Sequence, residues 1–373
     1  MNKTMQERMR EATRLTQAGQ LFEATATLQQ ALGANAPPSV AGRPAQTSAV
    51  GLLTRVWPAR TNRAASAPDM SVLDDYVIEN PDAQTPAVWE AATIADAFIS
   101  VTHTHAALTR QYKLYVPPEH AGKNLPLVVM LHGCTQHPDD FAAGTRMNAF
   151  ARDQGFFVLY PAQAQEANSS RCWNWFKHTH QRRGSGEPAL LADMTQSVIR
   201  QYRIDSQRVY IAGLSAGGAM AAIVADLYPE IFAAAGIHSG LASGAAGNLP
   251  EALSAMKNGA RAVDAAAADA PVRTIVFHGD RDSTVHARNG ERAFTSALGR
   301  ETGTPQVEQG ATRSGRRYTR TVQSRADGTV LAEHWVVHGA GHAWFGGSAD
   351  GSYTDGAGPD ATAEMLRFFF AHP

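Results

Sequence analysis

The 373-residue chain reads as an α/β protein, with a mostly parallel sheet, helices on both faces and an N-terminal helical hairpin. Three observations predict this. Short, continuously apolar runs such as Leu127-Val128-Val129-Met130-Leu131 alternate with stretches of helical spacing, as parallel strands buried on both faces require. One such run, Val209-Tyr210-Ile211-Ala212, leads through Gly213-Leu214-Ser215-Ala216-Gly217 straight into a helix-like stretch. Hydrophobic residues make up 44% of the chain, which is ample for a core.

Residues 1–33 carry Met5, Met9, Ala12 and Leu15 at helical spacing, an interruption at Ala18-Gly19, then Phe22, Ala24, Leu28, Ala31 and Leu32. This spacing reads as a helical hairpin. A single unit cannot bury its own apolar face, so it is expected to dock on the main domain, on a second copy in a homodimer, or on an apolar surface. Residues 34–90, rich in Ala, Pro, Ser, Gly and Thr without a sustained period, read as a flexible linker. The main domain is expected over 91–373. Strands are predicted near 97–103, 109–116, 126–132, 156–160, 207–212, 233–238, 272–278, 316–323 and 330–338, and helices over much of 138–153, 188–203, 216–227, 288–300 and 360–371. Asp360 is the expected N-cap of the last helix. The Ala- and Gly-rich stretch 241–270 reads as the excursion between the sixth strand region and the strand that carries the acid loop, and no helix is predicted in it. No long insertion follows any strand, so an open active site is expected.

The strand–turn–helix around Ser215 has the form of a nucleophile elbow. The glycines at 213 and 217 let the chain turn sharply enough to present the serine hydroxyl at the sheet edge, with the Ala216 N–H aimed at a developing oxyanion. Such a serine needs a base and an orienting acid, in the chain order serine, acid, histidine. Asp280 and Asp282 compete in the loop after the strand ending at His278. Asp282 is the better acid because it lies deeper in the loop, while Asp280 is placed to tie down loop amides. Among fourteen histidines, His342 follows a late strand on the Gly-rich loop Gly339-Ala340-Gly341 and is the expected base. His338 falls within strand alternation, and His278 reads as support for the acid loop. The apolar strand ending at Leu131 runs into His132-Gly133-Cys134, whose Cys134 N–H is the expected second oxyanion donor.

Formal charge is −1, which argues against nucleic acid as partner, and no apolar run reaches the length of a membrane span. The first residues lack the apolar core of a secretory signal, which leads to the expectation of a cytoplasmic protein. No Cys/His cluster has zinc spacing, so neither metal nor organic cofactor is expected.

Taken together, several stretches resemble the polyhydroxybutyrate depolymerase-family esterases of the α/β-hydrolase superfamily. They are Tyr112-Lys113-Leu114-Tyr115-Val116-Pro117, Leu131 to Gln136, Thr145-Arg146-Met147-Asn148, Leu159-Tyr160-Pro161-Ala162-Gln163, Cys172-Trp173-Asn174-Trp175 and Gly213 to Gly218. The resemblance covers roughly residues 95–373. It implies ester hydrolysis through Ser215, Asp282 and His342, with Cys134 and Ala216 as oxyanion donors. It also implies a Cys134–Cys172 disulfide, worth about 3–4 kcal/mol in the chain-entropy account but at odds with a cytoplasmic location. The resemblance does not settle the substrate: poly(3-hydroxybutyrate) or its oligomers is the expected one, feruloyl or acetylxylan-type esters are the alternative, and residues 1–33 are a candidate anchor to a polyhydroxyalkanoate granule surface. Trp344, Trp173 and Trp175 lie on loops at the active edge and are candidate substrate contacts, Trp344 foremost, with core packing the alternative for Trp173 and Trp175.

Overall fold

The computed structural model describes residues 97–118, 120–261, 271–299 and 303–371. The hairpin expected over 1–33, the linker over 34–90 and the boundary near 91 lie outside the described residues.

Two antiparallel strands, β1 (Ala97–His105) and β2 (Leu108–Val116), open the sheet. β3 (Leu127–Leu131), β4 (Phe157–Pro161), β5 (Val209–Leu214), β6 (Ala234–His238) and β7 (Arg273–Gly279) follow. β8 (Gln306–Ala311), β9 (Arg317–Ser324) and β10 (Val330–Val337) complete it. The order across the sheet is β1-β2-β4-β3-β5-β6-β7-β10-β9-β8. The central strands from β4 to β10 run parallel, and antiparallel strands close both edges. A small parallel pair, β11 (Trp344–Phe345) and β12 (Thr354–Asp355), lies apart from the main sheet.

Strand alternation divides the apolar residues between two cores. Leu127, Val129 and Leu131 face one; Val128 and Met130 face the other. The first is covered by α3 (Gly186–Tyr202) through Leu191, Met194 and Val198, and by α4 (Ala216–Leu227) through Met220 and Ile223. The second is covered by α1 (Pro138–Thr145), α2 (Met147–Gln154) and α7 (Ala361–Phe370), through Phe141, Met147, Met365 and Phe369. Each buried side chain of this size contributes roughly 1.5–3 kcal/mol. Asp360 caps α7 by accepting a hydrogen bond from the Ala363 N–H at 3.0 Å.

Three elements differ from expectation. The helix predicted over 138–153 breaks into α1 and α2 because Arg146 adopts a left-handed conformation (φ 56°), with its guanidinium bonded to the Gly346 carbonyl and to Asp360. The excursion 241–270 contains a helix, α5 (Leu249–Asn258), started by Asn248, which accepts from the Glu251 N–H and donates to the Glu251 carboxylate. Glu251 also accepts from the Gly247 N–H at 2.8 Å, and this helix start was readable as Asn-Leu-Pro-Glu. The edge strand β8 has an exposed pattern without apolar alternation and exists through its pairing with β9. The remaining helix, α6 (Arg288–Leu298), falls within its predicted range. No helix among the described residues is long and apolar enough to cross a membrane.

Candidate active site

The carboxyl ends of β3, β5, β7 and β10 meet on one edge, the place where parallel α/β sheets leave a crevice for ligands. Between β5 and α4, Ser215 is held at φ 58°, ψ −119°, a conformation that costs a non-glycine residue about 1–3 kcal/mol. The backbone on both sides leaves no room for a side chain. A Cβ on Gly213 would lie 2.4 Å from the Gly217 backbone, and one on Gly217 would lie 2.0 Å from the Leu131 carbonyl oxygen. The Ser215 N–H is anchored on the His238 carbonyl at 2.8 Å.

Beyond β7, the chain turns at Asp282. Its Oδ1 accepts from the Thr284 and Val285 N–H groups at 2.9 and 2.8 Å, which aims Oδ2 at His342 Nδ1, 2.7 Å away. With Nδ1 donating to the carboxylate, Nε2 of His342 is the nitrogen left for the serine. Ser215 and His342 line the same cavity, together with Gly133, Cys134 and Ala216. Burial would raise the Asp282 carboxyl, but hydrogen bonds and charge from His278 and His342 outweigh it and hold it well below the ordinary carboxylate range. The His278 Nε2–H lies 2.8 Å from the Val285 carbonyl and 3.5 Å from Asp282 Oδ2, so His278 braces the acid loop, as expected.

The rival residues pair with each other. His338 Nδ1 is 2.9 Å from Asp280 Oδ2, whose Oδ1 accepts from the Gly339 N–H at 2.7 Å, and His338 Nε2 meets Thr319 Oγ1 at 2.9 Å. This second Asp–His pair fastens the loop carrying His342 to the loop carrying Asp282.

Neither the Cys134 nor the Ala216 N–H has a hydrogen-bond partner among the described residues; Ala216, first in its helix, has no intrahelical acceptor. The Cys134 loop rests on a buried polar network. His132 is pushed down to about 4 by burial and stays neutral, with Nδ1 donating to the Gly133 carbonyl and Nε2 accepting from the Gln163 N–H. Gln163 donates to the Cys172 carbonyl and to Glu187, which is only 2% exposed and also accepts two bonds from Asn174. A disulfide joins Cys134 to Cys172, 38 residues on. Loop, network and disulfide thus hold one amide in place, which is what an oxyanion donor requires.

Two of the three expected tryptophan contacts need correction. Trp344 is buried, donates through Nε1 to Thr362 Oγ1 at 3.0 Å, and packs edge-on to Phe141 and flat on His238. Its strand, β11, turns the indole into the core rather than toward the cavity. Trp173 is likewise fully buried, bonded through Nε1 to the His132 carbonyl. Trp175 does line the cavity. So do Leu241, Met256, Val285 and Tyr353, which sequence reasoning missed. Met256 sits on the unanticipated α5, and nothing periodic around Tyr353 marks it.

The sheet order, the elbow and the loops converging on it make this an α/β-hydrolase. An acetyl xylan esterase from Aspergillus awamori shares the fold at a TM-score of 0.56 and 22% identity, over 70% of this chain and 93% of that one. The profile of the family described as Esterase PHB depolymerase matches residues 110–323, and the chain belongs to that family. It is 34% identical over 233 residues to poly(3-hydroxyalkanoate) depolymerase C of Paucimonas lemoignei, covering 59% of this chain and 55% of the relative. It is 36% identical over 129 residues to feruloyl esterase B of Neurospora crassa, covering 34% of this chain and 43% of the relative. The chain therefore spans about half the length of these curated relatives.

Proposed function

We propose that this chain is a serine esterase cleaving poly(3-hydroxybutyrate) or its oligomers. The observation that carries the reading is the convergence on one largely apolar cavity of Ser215, the His342–Asp282 pair and two amides without partners. In this reading His342 Nε2 takes the Ser215 proton as Oγ attacks the ester carbonyl, and Asp282 stabilises the imidazolium. The Cys134 and Ala216 N–H groups receive the carbonyl oxygen as it becomes negative; losing one such donor costs on the order of 3 kcal/mol. Collapse expels the alcohol with the proton from His342 and leaves an acyl-serine. Water then repeats the steps, freeing the acid and restoring Ser215.

The relatives named as feruloyl and acetylxylan esterases support a second reading, removal of feruloyl or acetyl groups from polysaccharide. Hydrolysis of amorphous poly(3-hydroxybutyrate) granules beside methyl ferulate and nitrophenyl butyrate, with Ser215→Ala as control, separates the two. Granule hydrolysis lost in the mutant is the expected result; ferulate turnover without granule hydrolysis would put the second reading first. Co-sedimentation in the same assay reports the granule surface as partner. The Cys134–Cys172 disulfide supports an oxidising compartment and weighs against the cytoplasmic placement. In protein taken from its native host both cysteines should resist alkylation until reductant is added; free thiols there would restore the cytoplasm.

A further inference from the structure

One residue lining the cavity is a partly exposed aromatic in a strained backbone conformation. Tyr353 is 37% exposed, and Val307 is the other large hydrophobic residue exposed among the described residues. Tyr353 lines the same cavity as Ser215 and His342. Its backbone is left-handed (φ 53°), an uncommon conformation for a bulky residue and one that glycine would adopt at no cost. The surroundings impose it. The Tyr353 carbonyl accepts from the Trp344 N–H at 2.7 Å, and Ser352 is bonded through its N–H and Oγ to Asp140 at 2.8 and 2.6 Å. Gln136 Nε2 donates to the Ser352 carbonyl at 3.1 Å. The phenol itself meets Thr135 Oγ1 at 3.2 Å, and Thr135 directly follows Cys134. Left-handed strain held at a residue that lines the cavity points to a use at that cavity.

We infer that Tyr353 is a specificity-determining residue: its ring packs against the part of the ester substrate that extends beyond the cavity, and favours chains of several ester units over short esters. This rests on the polyester reading above. A tyrosine fixed in place offers a large apolar face with few rotamers to freeze, which suits a flexible, uncharged chain.

The test compares kcat/KM for a 3-hydroxybutyrate trimer ester with that for nitrophenyl butyrate, in wild type, Tyr353→Gly and Tyr353→Phe. Glycine removes the ring and relieves the left-handed backbone, and a thermal melt together with unchanged turnover of nitrophenyl butyrate shows that the variant is folded. Its trimer-to-butyrate ratio should fall by about tenfold, mainly through KM, the upper end of what one aromatic contact supplies. Tyr353→Phe should keep the ratio within about threefold, since the ring remains. An unchanged ratio in Tyr353→Gly, with wild type active on the trimer, overturns the inference alone. A wild type inactive on the trimer overturns the polyester reading and this inference with it.

Discussion

Two Asp–His pairs, Asp282–His342 and Asp280–His338, are made from the same two loops, two and four residues apart in sequence, with ring-to-carboxylate distances of 2.7 and 2.9 Å. In each, the second carboxylate oxygen is tied to backbone N–H groups. They differ in burial and in what the far ring nitrogen faces. The side chains of Asp282 and His342 are 0% and 10% exposed, those of Asp280 and His338 38% and 35%. His342 faces the cavity shared with Ser215, whereas the other nitrogen of His338 is occupied by Thr319. The pairing chemistry is the same, so it does not define a base. A base needs a free nitrogen directed at a nucleophile in a site where water does not screen its partner.

The comparison breaks most sharply on turnover. His342→Ala should lower kcat for a soluble ester by about 10⁴-fold or more, and Asp282→Asn by about 10⁴-fold, because the wrong tautomer then faces the serine. His338→Ala should leave kcat within about tenfold and cost at most about 1 kcal/mol of stability, as an exposed pair does. Steady-state kinetics with thermal melts decide this; equal losses at His338 and His342 would dissolve the distinction.

Acid unfolding sharpens it at smaller scale. Burial pushes both aspartates up, but hydrogen bonds and the charge of their histidines prevail, so both sit below the ordinary carboxylate range. A carboxylate depressed in the folded state contributes stability that is complete above the unfolded pKa of about 4 and is lost as pH falls through the folded value. Below about pH 4, melting of the wild type should therefore drop more steeply than that of Asp282→Asn. Asp280→Asn should flatten the curve less, since water screens a pair more than a third exposed. Parallel melting curves for wild type and Asp282→Asn across that window would contradict the depressed carboxyl.

The elbow was readable because it is local. A strand, a tight turn and a helix lie in one stretch, and the clash that excludes side chains at 213 and 217 involves backbone that any such turn brings close. The buried central strands were readable too, since burial on both faces writes itself as uninterrupted apolar residues, whereas the exposed β8 was not. Trp344 was misplaced for a specific reason: proximity to His342 in sequence says nothing about direction, and β11 sends its indole inward onto His238 and Phe141. The helix α5 was hidden by Ala and Gly content although its cap was visible.

Sequence alone determined the fold class, the turn that carries Ser215 and the loops that carry Asp282 and His342, because periodicity and turn chemistry act over a few residues. The tertiary structure decided which aspartate meets which histidine, which aromatics reach the cavity, and that Glu187 and Gln163 hold the Cys134 loop from below. These are contacts between residues from 24 to more than 200 positions apart, settled by strand register and by which faces are buried. A shift of two residues in sequence, from Asp280 to Asp282, changes an exposed loop tether into a buried partner of His342.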